Sequence, residues 1–462
     1  MKMKFTKKTA VAAILRAMLF TGVFFASVPL FAASANSNSQ EEVNFVQKLN
    51  STLAKGSVDD ALLLFDSLPE NLHEDIDLRV LQASLLLSVG KNADAEQIAL
   101  SLIQKEPGNI DVLFLNAMVC KQKKNTAKKN QYLTQILKIQ PYNPDANIEL
   151  GNDQAVKRSY RNARDYYVKA VRGDPNNIEA LFGQGKMSYY LELDNDSKKC
   201  FNKILTIDPD YAPALAYLAK FEAEGRRFKK AIEYLDKAIK IDPENSDYYF
   251  DMGSFNREAG KYEAAEKAWL KATELTPDYF LGYAYLAGLY DEQGDLDKAY
   301  DYYMKVVQKN PKYYYAYESI GMIAWHREDW SMSRKAFEAA LSGNPKNVSY
   351  ALMVAASYQQ EKKVQDCKKF TEKMMKGLDR NSFDYLALRL FHDMTGETTL
   401  TLKIQNEESK KKKGKFLYYL ALYWEMKGKL NLAHNYYAEV TEMKTADFFE
   451  YRLAEWAEMG KN

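Results

Sequence analysis

Apolar, small and polar positions recur along most of this 462-residue chain with a period of 34. Prolines mark the phase, standing at 107, 141, 175, 209, 243, 277, 311 and 345. Each sits at a corner such as Glu106-Pro107-Gly108-Asn109 or Asp242-Pro243-Glu244-Asn245, where a fixed φ and a missing amide hydrogen stop one helix and set up the next. With Pro at position 32, the repeats begin at 76, 110, 144, 178, 212, 246, 280, 314 and 348. Position 8 is then Ala83, Ala117, Gly151, Gly185, Ala219, Gly253, Ala287, Gly321 and Ala355, all small. Antiparallel helices approach closely only over small side chains, so this column predicts the crossing of two helices within each repeat. Position 20 supplies the matching small site, as Ala95, Ala163, Ser197, Ala231, Ala265, Ala299, Ser333 and Cys367, with Lys129 the exception. Position 24 is mostly large and apolar (Leu133, Tyr167, Phe201, Leu235, Trp269, Tyr303 and Phe337), and is expected to fill the space between neighbouring repeats.

The pattern weakens at both ends. One period earlier, Glu42 to Asp75 keeps Gly56, Val58, Ala61, Phe65 and Leu68 but has Leu49 where a small residue belongs. Residues 382–413 are expected to form an irregular helical pair, interrupted near Thr395-Gly396 and ending in Lys410 to Lys413. From Gly414 a full repeat returns with Ala421, Trp424, Gly428, Leu430, Ala433 and Tyr437, and Phe448 to Met459 is expected to cap it. Ten units, the first weak and nine strong, are expected in a continuous array over 42–381, followed by the irregular helical pair over 382–413, a last repeat over 414–447 and the cap over 448–462.

The 34-residue helix-turn-helix with small residues at 8 and 20, an aromatic near 24 and Pro at 32 resembles the tetratricopeptide repeat. The repeat from Ser246 to Tyr279 carries Tyr249, Gly253, Gly260, Tyr262, Ala265, Trp269, Ala272 and Pro277 at family positions. The resemblance implies an all-α, right-handed superhelical solenoid whose concave face is lined by positions 2, 5, 9, 12 and 13 of the first helices. Those columns hold Phe114, Phe182, Tyr189, Tyr190, Phe250, Tyr315 and Trp325, with Lys121, Lys186, Lys220 and Arg257 among them. Rings beside cations suit a protein or peptide segment. Members that clamp a C-terminal carboxylate use Lys and Asn at positions 5 and 9; Asn152 is present, but Ile148 stands at position 5, so that clamp is not expected. The last repeat, with Tyr418-Tyr419-Leu420-Ala421 and Phe448-Phe449-Glu450-Tyr451-Arg452, is similar to the C-terminal part of envelope adaptor lipoproteins, though no Cys follows the apolar leader for lipid attachment.

Composition narrows the function. Lys and Arg total 64 against 62 Asp and Glu, which lacks the basic excess of nucleic-acid binders. His73, His326, His392, His434, Cys120, Cys200 and Cys367 have no metal-ligand spacing, so neither a metal nor another cofactor is expected, and the thiols are expected to be buried and unpaired. Gly183-Gln184-Gly185-Lys186-Met187-Ser188 lacks the Ser or Thr of a phosphate loop and is accounted for by the repeat. Region 382–413 offers His392 and Asp393 but no nucleophile–base pair, leaving an enzyme as the remote alternative. Lys410, Lys411, Lys412 and Lys413 are expected to be a solvated face, or a contact for anionic polymer or lipid headgroups. At the start, Lys2, Lys4, Lys7, Lys8 and Arg16 precede an apolar run from Ala17 to Ala32 and the small residues Ala33-Ser34-Ala35, which is the layout of a secretory leader cleaved after Ala35. Asn36 to Glu41 then forms a polar linker. The run is shorter than the roughly 20 residues a spanning helix needs, which favours the leader; an uncleaved inner-membrane anchor flanked by Arg16 is the alternative. The sequence therefore predicts a non-enzymatic adaptor of the bacterial envelope, periplasmic or secreted, with an assembly factor for outer-membrane proteins or exported polysaccharide as the second reading.

Overall fold

The computed structural model describes residues 40–459; the leader, its cleavage site and most of the linker lie outside the described residues. Within them the chain is an all-α helical-repeat solenoid with no strand. It divides into two compact halves, up to Leu218 and from Ala219 onward. The N-terminal half holds α1 (Gln40–Leu53), α2 (Val58–Leu63), α3 (Ile76–Ser88), α4 (Asn92–Lys105), α5 (Ile110–Gln122), α6 (Thr126–Ile139), α7 (Pro144–Val156), α8 (Tyr160–Gly173), α9 (Ile178–Tyr190) and α10 (Asp194–Ile207). The boundary falls within α11 (Ala212–Glu224). The C-terminal half continues with α12 (Phe228–Ile241), α13 (Ser246–Glu258), α14 (Tyr262–Leu275), α15 (Phe280–Glu292), α16 (Leu296–Lys309), α17 (Tyr314–His326), α18 (Trp330–Gly343), α19 (Val348–Gln360) and α20 (Val364–Met375). It ends with α21 (Phe383–His392), α22 (Glu397–Gln405), α23 (Lys410–Met426), α24 (Leu430–Glu442) and α25 (Phe449–Met459).

Local chemistry sets the helix ends. Asn109, Asn143, Asn177, Asn245 and Asn347 precede first helices, and each side-chain oxygen accepts an amide hydrogen from the opening turn. Between the helices of a repeat, position 15 adopts the left-handed conformation in all nine strong repeats. Gly occupies it only at 90, 260 and 294; Lys124, Arg158, Glu192, Arg226, Glu328 and Lys362 hold φ between 57° and 59° there. The next amide then reaches back to the position 11 carbonyl, as in Asn125 to Cys120 and Lys261 to Asn256, and closes the C-terminal turn.

The crossing of each pair is a fit between positions 8 and 24. Each position 8 glycine lies under a ring of its own repeat: Gly151 under Tyr167, Gly185 under Phe201, Gly253 under Trp269 and Gly321 under Phe337. A Cβ at Gly321 or Gly185 meets that ring at 2.7 or 2.9 Å. Where position 8 is Ala, position 24 is Ala99, Leu133, Leu235, Thr371 or Tyr303, and this last ring lies half-buried with its hydroxyl on Asp291. Position 24 thus fills the inside of its own repeat, a role the expected inter-repeat packing did not include. Positions 8 and 20 also meet, for Ser197 Oγ donates to the Gly185 carbonyl at 2.8 Å and Ser333 Oγ to that of Gly321 at 3.0 Å. The odd residue, Lys129, is buried with its Nζ 2.6 Å from Asp153 and 3.7 Å from Glu149 of the next repeat.

Three boundaries differ from expectation. Gln40 and Glu41 already belong to α1 rather than to a linker. The second helix of the weak first repeat stops at Leu63 and gives way to 3-10 turns at Leu64–Ser67 and Glu70–Leu72, because the Leu68-Pro69 step is extended. Lys410 to Lys413 form the first turn of α23, capped by Ser409, instead of the end of the irregular pair.

If the ring sets the size limit at position 8, Gly253→Ala should cost about 1 to 3 kcal/mol. Combining it with Trp269→Leu, which recreates the natural Ala219–Leu235 pairing, should show a favourable coupling of about 1 kcal/mol in denaturant unfolding. Gly288→Ala, where nothing lies within 4 Å of the added methyl, should stabilise by up to about 1 kcal/mol. Additive effects of the 253 and 269 substitutions are the contrary outcome.

Candidate protein-binding site

The N-terminal half carries its candidate tyrosines on α9, with ring neighbours on α8, α10 and α11. Its tyrosines form a ladder. Tyr190, 45% exposed, stacks on Tyr160 with centroids 4.9 Å apart and meets Tyr189 edge-on; Tyr189 meets Tyr217, which stacks on Phe201 at 4.9 Å. Half-buried Phe182 lies against Tyr211 and Tyr217. Beside the rings stands a polar group. Tyr167 donates its hydroxyl to Asn152, Lys121 pairs with the buried Glu149 at 2.6 Å, and the half-buried Glu179 bonds to Asn152. Burial raises the Glu179 carboxyl above the usual carboxylate range, with Glu149 and Asp145 adding to the effect. Burial likewise pushes the Tyr211 hydroxyl up to about 12. Glu179 was not among the sequence candidates; its place at position 2, one helix along from Asn152, was the available signal.

The other candidates fare differently. Phe114 and Phe250 are buried: Phe114 joins the core of the N-terminal half, and Phe250 lies under Tyr279 at the end of its own repeat and Tyr285 of the following one. A large ring at position 5 gains more by filling the gap to the next repeat than by facing water. Arg257 is exposed and holds Glu292 at 2.8 Å. Tyr315 is 56% exposed and flanked by Tyr313 and Tyr314. Trp325 is half-buried, edge-on to Trp330 and packed on the core. Lys411, Lys412 and Lys413 pair with Asp447, Glu407 and Glu439, so most of the basic run is neutralised locally.

In the C-terminal half, α25 turns back onto first helices of earlier repeats. Arg452 makes a two-pronged bond to Asp291 of α15 at 2.7 and 2.8 Å, with its guanidinium 4.5 Å from the Trp456 ring. Trp456 lies against His326 of α17. The buried Glu450 accepts from Ser349 Oγ of α19 and from Tyr419 of α23, the latter at 2.9 Å. Burial raises both Glu450 and Glu318; Lys415 opposes the shift in each, and the hydroxyls of Tyr419 and Ser349 on Glu450 and of Tyr350 on Glu318 also oppose it. Cys120, Cys200 and Cys367 are buried and free, with burial pushing Cys200 up to about 11 and Cys367 up to about 12, away from thiolate chemistry. Among the described residues no cluster of His, Cys, Asp or Glu fits a metal ion, and no helix is long and apolar enough to cross a membrane.

Paired helices in a 34-residue period define a helical-repeat interaction scaffold. The chain carries tetratricopeptide repeats: one family model of that description matches residues 234–267 and another matches 215–245 and 282–313. A curated relative, DnaJ homolog subfamily C member 7 of Homo sapiens, is 23% identical over 171 residues, which cover 33% of this chain and 34% of that protein, so the chain spans about a third of the relative's length. Among solved structures, MamA is 26% identical over 35% of this chain and 95% of its own, with a TM-score of 0.32. A tetratricopeptide repeat protein from Parabacteroides merdae ATCC 43184 is 17% identical, covers 54% of this chain and 98% of its own, and has a TM-score of 0.41.

The raised Glu450 gives a signed expectation. A carboxyl raised in the folded state stabilises fully below about pH 4.5 and loses that contribution as pH rises through its folded value. Glu450→Gln, which can still accept from Ser349 and Tyr419, should therefore melt higher than the wild type at pH 8 and no higher at pH 4. Thermal melting at both pH values checks it; an equal difference at the two contradicts a desolvated carboxyl.

Proposed function

We propose that the chain is a non-enzymatic adaptor of the bacterial envelope that binds segments of partner proteins on the tyrosine-bearing face of α9. The observation that supports this most is the tyrosine ladder beside Glu179 and Asn152. Tyrosines held by their neighbours offer large contact area at little cost in side-chain entropy, and a half-buried carboxyl with an amide next to it suits a cationic or backbone donor. An assembly role for outer-membrane proteins or exported polysaccharide is the second form of the same reading. Envelope location rests on the basic, apolar and small-residue succession before Asn36.

Two measurements test the reading. Mass analysis of the protein from its native cells should give an N-terminus at Asn36; an intact N-terminus in the membrane pellet favours the anchor instead. A Tyr189→Ala, Tyr190→Ala variant that keeps its circular dichroism should lose partners recovered from envelope extracts by the wild type, since central interface rings commonly contribute about 2 kcal/mol each. If neutralising Lys410 to Lys413 removes the partners and the tyrosine variant does not, the binding face is the basic turn of α23.

A further inference from the structure

α25 contacts the C-terminal half through the positions that the family resemblance assigns to a binding face: Asp291 is position 12 of its repeat, His326 is position 13 and Ser349 is position 2. Three successive first helices, α15, α17 and α19, thus present one surface to a single helix. The contact mixes apolar and polar groups: Leu453 and Ala454 join the C-terminal core, and Phe449, Tyr451 and Trp456 pack against it. Within α25 only Glu450, Leu453 and Ala454 are buried, while Arg452 and Trp456 remain partly exposed. The repeat beneath it makes its own crossing through Gly321–Phe337 and Ser333–Gly321, and Phe449 of α25 stacks on that Phe337 ring. The chain between α24 and α25 is the non-helical stretch Met443–Phe448, and the two helices are also joined by hydrogen bonds from Thr441 to Glu458 and from Tyr451 to the Thr441 carbonyl.

We propose that this face is a helix-docking site held in cis by α25, and that the partner it fits is an amphipathic helix with the same chemistry. Phe449 stacks on Phe337 and Tyr350, Glu450 takes the hydroxyls of Ser349 and Tyr419, Arg452 clamps Asp291, and Trp456 covers His326. The partner motif is therefore ring, carboxylate, guanidinium and ring at i, i+1, i+3 and i+7, which fall on one side of a helix. Binding in trans requires α25 to leave, so the free chain is self-blocked. The proposal rests on the interaction-scaffold reading but concerns a different face from the tyrosine ladder.

The probe is a fluorescently labelled synthetic peptide spanning Asp447 to Met459, titrated into full-length protein. A site open about 1% of the time binds about 100-fold more weakly than a free one. An Arg452→Ala, Trp456→Ala chain should therefore bind the peptide at least about tenfold tighter than the wild type, and adding Asp291→Ala should reverse the gain. Equal affinity of wild type and double variant overturns the proposal. So does absent binding when hydrogen exchange shows α25 released, and so does loss of the repeats' thermal transition in the double variant, which makes α25 part of the core. A second measurement keeps the wild-type residues: a chain cut at a protease site placed within Lys444–Asp447 should exchange its resident helix for labelled peptide while its helical signal stays constant. Retention of the helix until global unfolding contradicts displacement. Failure here leaves the Tyr189 and Tyr190 result untouched, and the reverse also holds.

Discussion

Everything in this molecule depends on how closely two helices of one repeat can cross. The distance is set by the residue at position 8 and the side chain above it at position 24. Where that side chain is Tyr167, Phe201, Trp269 or Phe337, position 8 carries no Cβ at all. Where position 8 is Ala, the partner is a smaller residue, or a ring that stays half-buried as Tyr303 does. Close-packed interiors tolerate volume only when it is conserved, and here the conservation runs between two positions 16 apart in the chain. Hydroxyls at position 20 reinforce the crossing by bonding the position 8 carbonyl.

Because the crossing holds each pair, the turn between helices is imposed on whatever residue occupies it. Six non-glycine residues adopt a left-handed conformation at position 15, where glycine would be free of strain. The cost is of order 1 kcal/mol at each, offset by the packing of the pair and the bond back to position 11. A similar compensation explains Lys129, whose ammonium is buried at a helix crossing because Asp153 and Glu149 reach it from the following repeat.

The same arrangement frees the outer faces of the first helices to differ. In the N-terminal half that face holds linked tyrosines beside a desolvated carboxyl; in the C-terminal half it is covered by α25. The two faces differ in what they offer a ligand. One presents rings and polar groups to solvent, while the other has its Asp291 carboxylate and Ser349 hydroxyl already engaged.

The period, the helical pairs, the kind of repeat and the small crossing column were legible in the sequence, because a 34-residue spacing of proline and of small residues follows directly from helix geometry and needs no long-range information. Gly90, Gly260 and Gly294 likewise announce their turns, whereas Lys124 or Arg226 at the equivalent place do not: their backbone conformation is decided by the crossing around them. Column positions alone did not separate Phe114 and Phe250, which are buried, from Phe182, which is half-buried, because the direction of a ring at position 5 depends on the gap left by the next repeat. Nor did they reveal that Glu450 and Arg452 meet Ser349 and Asp291, residues 101 and 161 positions away. Periodicity determines contacts between neighbours in a repeat. Contacts made by a helix that turns back across the array depend on the intervening α20 to α24, and only the tertiary structure decides them.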